Sequence, residues 1–549
     1  MSKCDTFRIA REAPVAVVRP SEMPLCDASS CETIIQLGVF FDGTGNNKKK
    51  DIPRGALSNI VKLHDAYMAD PDRGIAKTYI EGLGTECVDL NEPGESVFGG
   101  GFGSGGEGRL LLALCSVMNN IYESVLKKRW ASTLAVQDIC RPSKFFGNNT
   151  TNLEKFGLAA SLNGSKLAVK VSFFKKEGQN LQQQLADIKG PVVKEIIFDI
   201  FGFSRGAAEA RVFCHWLSKI AAGGKIAGIP ICFRFLGLMD TVASVGVWEG
   251  ATNAAFNKTG GHTDWALHEH LLILPEVKNC IHMVAMHEIR KNFPLDQVAV
   301  GDVMPENCHE FAYPGSHSDV GGGYAPGALG LAGGTSLQEG DSRKLSQLTL
   351  NHMFDCAVAG GVPLSRELTG KKGKNLFDIS PVVEAAFAKF VHLSPRGNQR
   401  LSDWMLPYLI WRWKSRNEYS SLGHVRNAKG KDIDYLMSAH KQFIQDSQSM
   451  EFRGDEEKSV AFVKAARAQD HSCWSHSDYN QPEIGALDRE AWEVKKRVTA
   501  AKPNPPELDD FFDTFVHDSL AGFKEKLTEP TGHWRYRRTF RGGDQPLLT

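Results

Sequence analysis

The sequence lacks most of the features that settle a function quickly. Neither charge is in excess: Lys plus Arg and Asp plus Glu both total 64 in 549 residues. No chain-wide field therefore points to nucleic acid or an anionic surface as the main partner. There is no C-x-x-C pair. The 12 cysteines are scattered singly from Cys4 to Cys473, which matches neither a disulfide framework nor a zinc spacing and fits folding in a reducing compartment. No apolar run reaches spanning length, and Met1 to Pro20 hold charges and prolines without a hydrophobic core, so no signal peptide is expected. A protein of this kind acting outside its own cell would need a route other than general secretion. No internal repeat is evident, and the length allows two or more domains, or one large domain with insertions.

What is present centres on residues 192 to 208. An apolar run ending Ile-Phe-Asp-Ile-Phe leads directly into Gly202-Phe203-Ser204-Arg205-Gly206-Ala207-Ala208. The run suits a buried strand and the Ala-rich segment a helix. A G-x-S-x-G sequence at such a strand-to-helix turn is a nucleophile elbow. Its glycines let the backbone bend without a Cβ clash and lift the serine hydroxyl out of the sheet edge.

Around it, segments resembling strands and helices alternate, the signature of a mostly parallel α/β sheet with helices on both faces. Residues 33 to 41 read as a first buried strand closing on Asp42-Gly43-Thr44-Gly45-Asn46-Asn47; residues 57 to 68 have helical spacing, and 77 to 83 resemble a strand. Residues 167 to 174 alternate like a strand, and 181 to 188 read as helix. Further buried strands are expected at 231 to 239, ending at Asp240, and at 280 to 289, with another leading into Pro314-Gly315-Ser316-His317-Ser318-Asp319. The expected organisation is a polar leader (1–33), a catalytic domain (34–345) with a surface insertion near 130–164, and a mainly helical region (346–549). The last of these is a candidate membrane-facing region, and its terminal segment, about 508–540, is a candidate to rejoin the core.

A serine hydroxyl needs a base beside it, a carboxylate to orient that base, and donors for the oxyanion. In hydrolases built on this elbow the order along the chain is Ser, acid, His. Ser204, Asp240 and His317 follow it, the last two at turns directly after expected strands. We assign them as nucleophile, orienting carboxylate, and general base and acid. Asp296, after the next strand, is the rival acid and Glu288 a weaker one; His517, following the apolar run Phe515-Val516, is the rival base. The N–H of Arg205 supplies one oxyanion donor by position, and Gly43 or Thr44 the other. Asp42 alternatively holds that loop by accepting backbone hydrogen bonds.

Other motifs carry less. Residues 101 to 106 fit G-x-G-x-x-G, but a polar loop precedes them where a dinucleotide fold needs a buried strand. His268-Glu269-His270, His282 and His287 lack a completing ligand set for a metal, and a solvated helix face is the simpler account. Trp404 to Lys414 is too short to cross a bilayer; its tryptophans and cations suit a headgroup boundary, although most such stretches pack core against core. Residues 253 to 274 and 404 to 414 are the places to look for a lid.

Four blocks, Phe40-Phe41-Asp42-Gly43-Thr44-Gly45-Asn46-Asn47, Gly202-Phe203-Ser204-Arg205-Gly206-Ala207, Phe235-Leu236-Gly237-Leu238-Met239-Asp240-Thr241-Val242-Ala243-Ser244 and Gly315-Ser316-His317-Ser318-Asp319-Val320-Gly321-Gly322-Gly323-Tyr324, resemble the signature blocks of an α/β-hydrolase domain family. It includes the type VI secretion lipase effectors of the first Tle group. The resemblance spans about residues 34 to 330, and Val516 to Ala521 is similar to a further block of such effectors. Met239 departs from the family pattern, which often has tryptophan there. The resemblance implies an antibacterial phospholipase A that hydrolyses glycerophospholipid acyl esters of the target cell's membrane by Ser-Asp-His chemistry, with no metal or other cofactor. It implies a phospholipid membrane surface, a VgrG spike protein and a cognate immunity protein as partners, no nucleic acid, and delivery from the bacterial cytoplasm to the target cell's periplasm or membrane. The alternatives are a serine esterase or thioesterase on a soluble substrate, and an inactive hydrolase-fold binding or delivery protein.

Overall fold

A computed structural model describes residues 8–9, 32–93, 105–142, 150–187, 192–243, 265–290, 293–371, 374–394, 399–449, 482–523, 532–534 and 536–542. The strands are β1 (Arg8–Ile9), β2 (Glu32–Phe41), β3 (Ile75–Ile80), β4 (Val192–Phe203), β5 (Lys225–Ile226), β6 (Ile229–Met239), β7 (Cys280–Ala285), β8 (Leu295–Val300), β9 (Cys308–Tyr313) and β10 (Thr539–Gly542). Eight of them form one sheet in the order β1-β9-β7-β6-β4-β2-β3, with β5 added antiparallel to β6 and every other pairing parallel. A parallel sheet must be covered on both faces. The last eight residues of β4 are accordingly all buried.

Alternation along the strands sorts side chains between two cores. Leu37, Val39, Phe198, Ile200, Leu236 and Leu238 join a cluster with helices α2 (Gly106–Leu126), α3 (Leu167–Ala186) and α4 (Arg205–Ile220). Phe40, Phe201, Phe203, Phe235 and Met239 point the other way, into a cluster with α1 (Asn59–Ala66) and α6 (Ser346–Ala359). The fold is α/β with helices on both faces, followed by a mainly helical region.

Two expectations are corrected, and the tryptophan-rich stretch takes the core-against-core alternative. Residues 167 to 174 are not a strand but the start of α3, whose buried Lys170, Phe173, Phe174, Glu177 and Leu181 recur at three- and four-residue intervals. Over eight residues the two periodicities are hard to separate; over twenty the helical one prevails. The region near 130–164 is more than a surface excursion. It holds helices Thr133–Cys140 and Thr150–Glu154 and contributes Ala135, Ile139, Leu153 and Leu162 to the larger core. The tryptophan-rich stretch is helix α8 (Leu401–Lys414), with Trp404, Met405, Tyr408, Leu409 and Trp411 buried in a third cluster. That cluster also takes in α7 (Pro381–Leu393), α9 (Lys431–Ser449), α10 (Pro482–Ala500) and α11 (Pro506–Phe515). Its apolar face is spent on protein, not presented to lipid. Of the possible lid at 253–274, residues 253–264 lie outside the described residues. No described helix is long and apolar enough to cross a membrane.

The chain end returns to the body of the protein: β10 lies parallel to β8, with Thr539 opposite Leu295 and Phe540 opposite Asp296. This pairing brings residues from the far end of the sequence to the carboxyl edge of the sheet.

Candidate active site

Strand register aligns the candidate residues. Phe41 pairs with Gly202, Phe203 with Met239, and Met239 with Met283. Asp42, Ser204 and Asp240 are thus the next residues of three neighbouring strands, at the carboxyl edge where open α/β sheets bind ligands. His317 arrives from β9 as the first residue of a short helix, α5 (His317–Gly321), capped by Ser316 and Asp319.

Ser204 is a strained turn residue, with φ 59° and ψ −125°. A non-glycine residue held there costs on the order of 1–3 kcal/mol, and it persists because its surroundings over-determine it. Ser204 N–H donates to Met239 O at 2.9 Å, and Val242 N–H donates to Ser204 O at 3.2 Å. Close packing explains the following glycine: a Cβ at Gly206 would lie 2.4 Å from both the Asp42 and Phe41 carbonyl oxygens. Only glycine lets α4 start this close to the end of β2.

Asp240 is fully buried, and its carboxylate is saturated. Oδ1 accepts from Ala285 N at 2.9 Å and Arg537 Nη1 at 2.7 Å; Oδ2 accepts from Arg537 Nη2 at 2.8 Å and faces His317 Nδ1 at 2.5 Å. Burial alone would raise its pKa. The Arg537 guanidinium and the His317 contact outweigh burial and hold it well below the ordinary carboxylate range. For His317 burial dominates and lowers the pKa, against the upward pull of Asp240 and with a further downward push from Arg290. The imidazole is therefore neutral near pH 7. With Nδ1 directed at the carboxylate, Nε2 is the nitrogen left to exchange a proton. The Phe203 ring, adjacent in sequence to Ser204, lies 4.6 Å from the imidazole centroid, and Phe293 abuts it edge-on at 4.9 Å.

The rivals sit elsewhere. Asp296 Oδ2 accepts from Ala243 N at 2.7 Å, tying down the loop after β6. Glu288 receives Arg290 on both oxygens, Ser519 Oγ on Oε1 and the backbone N–H of His317 on Oε2, so it holds the histidine's main chain and not its ring. His517 pairs with Asp319, Nδ1 to Oδ1 at 2.6 Å, and stacks on Tyr324 at 3.8 Å. It forms a second His–Asp pair behind α5, on a different carboxylate from the one that meets His317.

The first loop is also corrected. Gly43 N–H donates to its neighbour's carboxylate, Asp42 Oδ1, at 2.8 Å, so this N–H is taken and Thr44 is the remaining candidate donor of the two. Asp42 also accepts from Tyr79 Oη at 2.6 Å, and burial pushes its pKa up to about 6. Thr44 and Arg205 meet side chain to side chain, Arg205 Nη1 donating to Thr44 Oγ1 at 3.2 Å. Of the histidines set aside, His268 is half-buried beside the exposed Glu269, and the other three are not on a solvated face. His282 is fully buried between Glu310, at 2.8 Å, and Thr241 N, at 3.1 Å; His287 is buried and accepts from Gly315 N at 2.9 Å; and His270 is buried. His282 and His287 brace the turns after β6 and β9. No group of three metal-binding side chains occurs among the described residues.

Sequence reasoning missed Arg537, Arg290 and Phe293. None lies in a motif, and only the charge of a buried acid could have signalled that a cation must come from somewhere.

A serine on a strained elbow and an imidazole bonded to a buried carboxylate, both at the carboxyl edge of a parallel sheet, make a hydrolase-like fold with a candidate site. The chain belongs to the family described as "T6SS, Phospholipase effector Tle1-like, catalytic domain", whose model matches residues 36–226 and 224–356. It is a type VI secretion phospholipase effector of the Tle1 kind. Among solved structures it is similar to an uncharacterized protein from Pseudomonas aeruginosa, with 24% identity, TM-score 0.65, and coverage of 93% of this chain and 80% of that one. It is also similar to a Tle1 effector bound to the VgrG spike of a type 6 secretion system, with 18% identity, TM-score 0.33, and coverage of 72% and 89%. The first likeness bears on the fold alone. No curated protein matches.

Proposed function

We propose that this effector is a phospholipase A-type serine esterase using Ser204, His317 and Asp240. The observation that carries the reading is the buried Asp240–His317 pair, 2.5 Å apart, with the ring of Phe203, the residue preceding the strained Ser204, 4.6 Å from the imidazole. Ser204 Oγ attacks the acyl carbonyl while His317 Nε2 takes its proton. The oxyanion is met by the N–H of Arg205 and that of Thr44, since Gly43 is engaged by Asp42. His317 then protonates the departing glycerol oxygen, lysophospholipid leaves, and an acyl-enzyme remains. Water, deprotonated by His317, releases the fatty acid.

Family membership supports the remaining elements: a target-cell phospholipid surface as substrate, a VgrG-type spike as carrier, a cognate immunity protein in the producer, and action at the target cell's periplasm or membrane. The test uses vesicles of a phospholipid with two different acyl chains and mass analysis of the products. The wild type is expected to release one fatty acid and the matching lysophospholipid. S204A is expected to release neither while melting like the wild type; undiminished release by S204A would refute the serine mechanism. Turnover no greater on vesicles than on a monomeric ester would instead favour a soluble substrate.

A further inference from the structure

Arg537 enters the site from the far end of the chain, 297 residues beyond Asp240. Its side chain is 2% exposed, and three donors are committed. Nη1 and Nη2 grip the two oxygens of Asp240 at 2.7 and 2.8 Å, and Nε donates to Phe293 O at 2.5 Å. Both partners touch His317: Asp240 through Nδ1, and Phe293 through its ring edge. One guanidinium therefore fixes two walls of the imidazole's cage. The β10–β8 pairing anchors it, since Leu295 N donates to Arg538 O at 2.9 Å and Thr539 lies opposite Leu295.

We propose that Arg537 is a positioning residue of the esterase, its bidentate grip on Asp240 both orienting that carboxylate toward His317 and limiting how basic the imidazole becomes. The inference rests on the triad reading above. Fork-to-fork pairing of arginine with a carboxylate is directional as well as strong. It also compensates charge. The charged groups facing His317 are Asp240 on its ring, Glu288 on its backbone N–H, Arg290 paired to Glu288, and Arg537 behind Asp240. With Arg537 in place Asp240 is held ionised yet half-neutralised, so it aligns the imidazole without over-stabilising the imidazolium. Removing the cation lets burial push Asp240 toward protonation and leaves any remaining charge to act on His317 alone. Both effects move protonation of the pair, and so the acid limb of the rate profile, to higher pH.

The experiment compares pH profiles of kcat and kcat/KM for the full-length wild type, R537Q, R537K and S204A on phospholipid vesicles. The wild type and the arginine variants are normalised to sites that a fluorophosphonate probe titrates, so that unfolded protein does not count; S204A, which has no such site, is normalised to folded protein by thermal melting. R537Q is expected to lose about 10²-fold in kcat, the scale for a displaced reacting group, with its acid limb raised by about one pH unit. R537K, which keeps the charge but not the fork, is expected to lose kcat with the limb near its wild-type position. A role in folding alone would lower the titratable fraction and leave the kcat per site and limb unchanged; that result in R537Q would overturn the proposal. Should R537Q not fold, R537K decides: wild-type kcat per titrated site would refute the need for a bidentate grip. Activity surviving in S204A would instead remove the underlying triad reading, an outcome separate from either arginine result.

Discussion

Replacing Asp240 with asparagine exchanges one oxygen for an NH2 group, and the contacts decide which. Oδ1 accepts from two donors, Ala285 N and Arg537 Nη1; Oδ2 accepts from Arg537 Nη2 and faces His317 Nδ1. The amide oxygen is needed at the Oδ1 position, where both neighbours can only donate. The NH2 group then faces His317. It can bond the ring only if Nδ1 accepts, which forces the ring proton onto Nε2, the nitrogen that must take the proton of Ser204. A triad locked in the wrong tautomer loses about 10⁴-fold in kcat, or roughly 5 kcal/mol of transition-state stabilisation. The same NH2 opposes Arg537 Nη2 donor to donor and leaves a buried cation without its counter-charge, at a cost of about 3–5 kcal/mol in stability. The assay is fatty-acid release from vesicles at saturating substrate, normalised to folded protein by thermal melting. D296N is the control: Asp296 Oδ2 accepts from Ala243 N, so that variant should lose stability while keeping kcat within about tenfold. D240N activity within tenfold of the wild type, or a D296N loss as deep as that of D240N, would refute the assignment of the acid.

At the elbow, G206A should be destabilised by at least about 1–3 kcal/mol, because its Cβ would lie 2.4 Å from two backbone oxygens; a melting temperature equal to the wild type's would contradict that packing. Acid stability follows from the buried carboxylates. Burial would raise the pKa of Glu288, but Arg290 and the neighbouring cations bring it from 4.5 to about 2 in the folded chain. Its stabilisation is therefore complete above pH 4.5 and fades as pH falls through about 2, on the order of 3 kcal/mol in all. E288Q should be less stable than the wild type at neutral pH, with the gap narrowing across that window. Equal denaturation midpoints at pH 7 would rule the account out.

The site was legible where chemistry is written in local pattern. The elbow, the aspartate after β6 and the histidine after β9 each follow an apolar strand and a turn sequence, and a parallel sheet brings such ends together whatever lies between them. The misreadings have physical causes of another kind. Residues 167–174 alternate over too short a window to show that Phe173, Phe174, Glu177 and Leu181 share one helical face. The tryptophans of α8 are open to two readings, a membrane boundary or core against core, and only the burial of Trp404 and Trp411 with α7, α10 and α11 decides for the second. Gly43 suited an oxyanion donor by position, but the side chain of the preceding Asp42 takes its N–H.

Arg537 is the instructive omission, because the need for it was implicit and its identity was not. A buried carboxylate beside a neutral imidazole is an ion out of water and requires a counter-charge. Three arginines of the flanking sequence are engaged elsewhere: Arg234 by Asp199, Arg211 by the carbonyls of Leu271, Asp296 and Gln297, and Arg290 by Glu288. The compensating charge must then come from outside the block that carries Asp240. With 64 lysines and arginines in the chain, nothing local selects the one in Tyr536-Arg537-Arg538. It is selected by a strand pairing between residues 295–300 and 539–542, and pairings so distant in sequence leave no periodic trace. A candidate active site whose proposed nucleophile is announced by five residues is in this way electrostatically completed by a cation more than two hundred residues beyond its histidine.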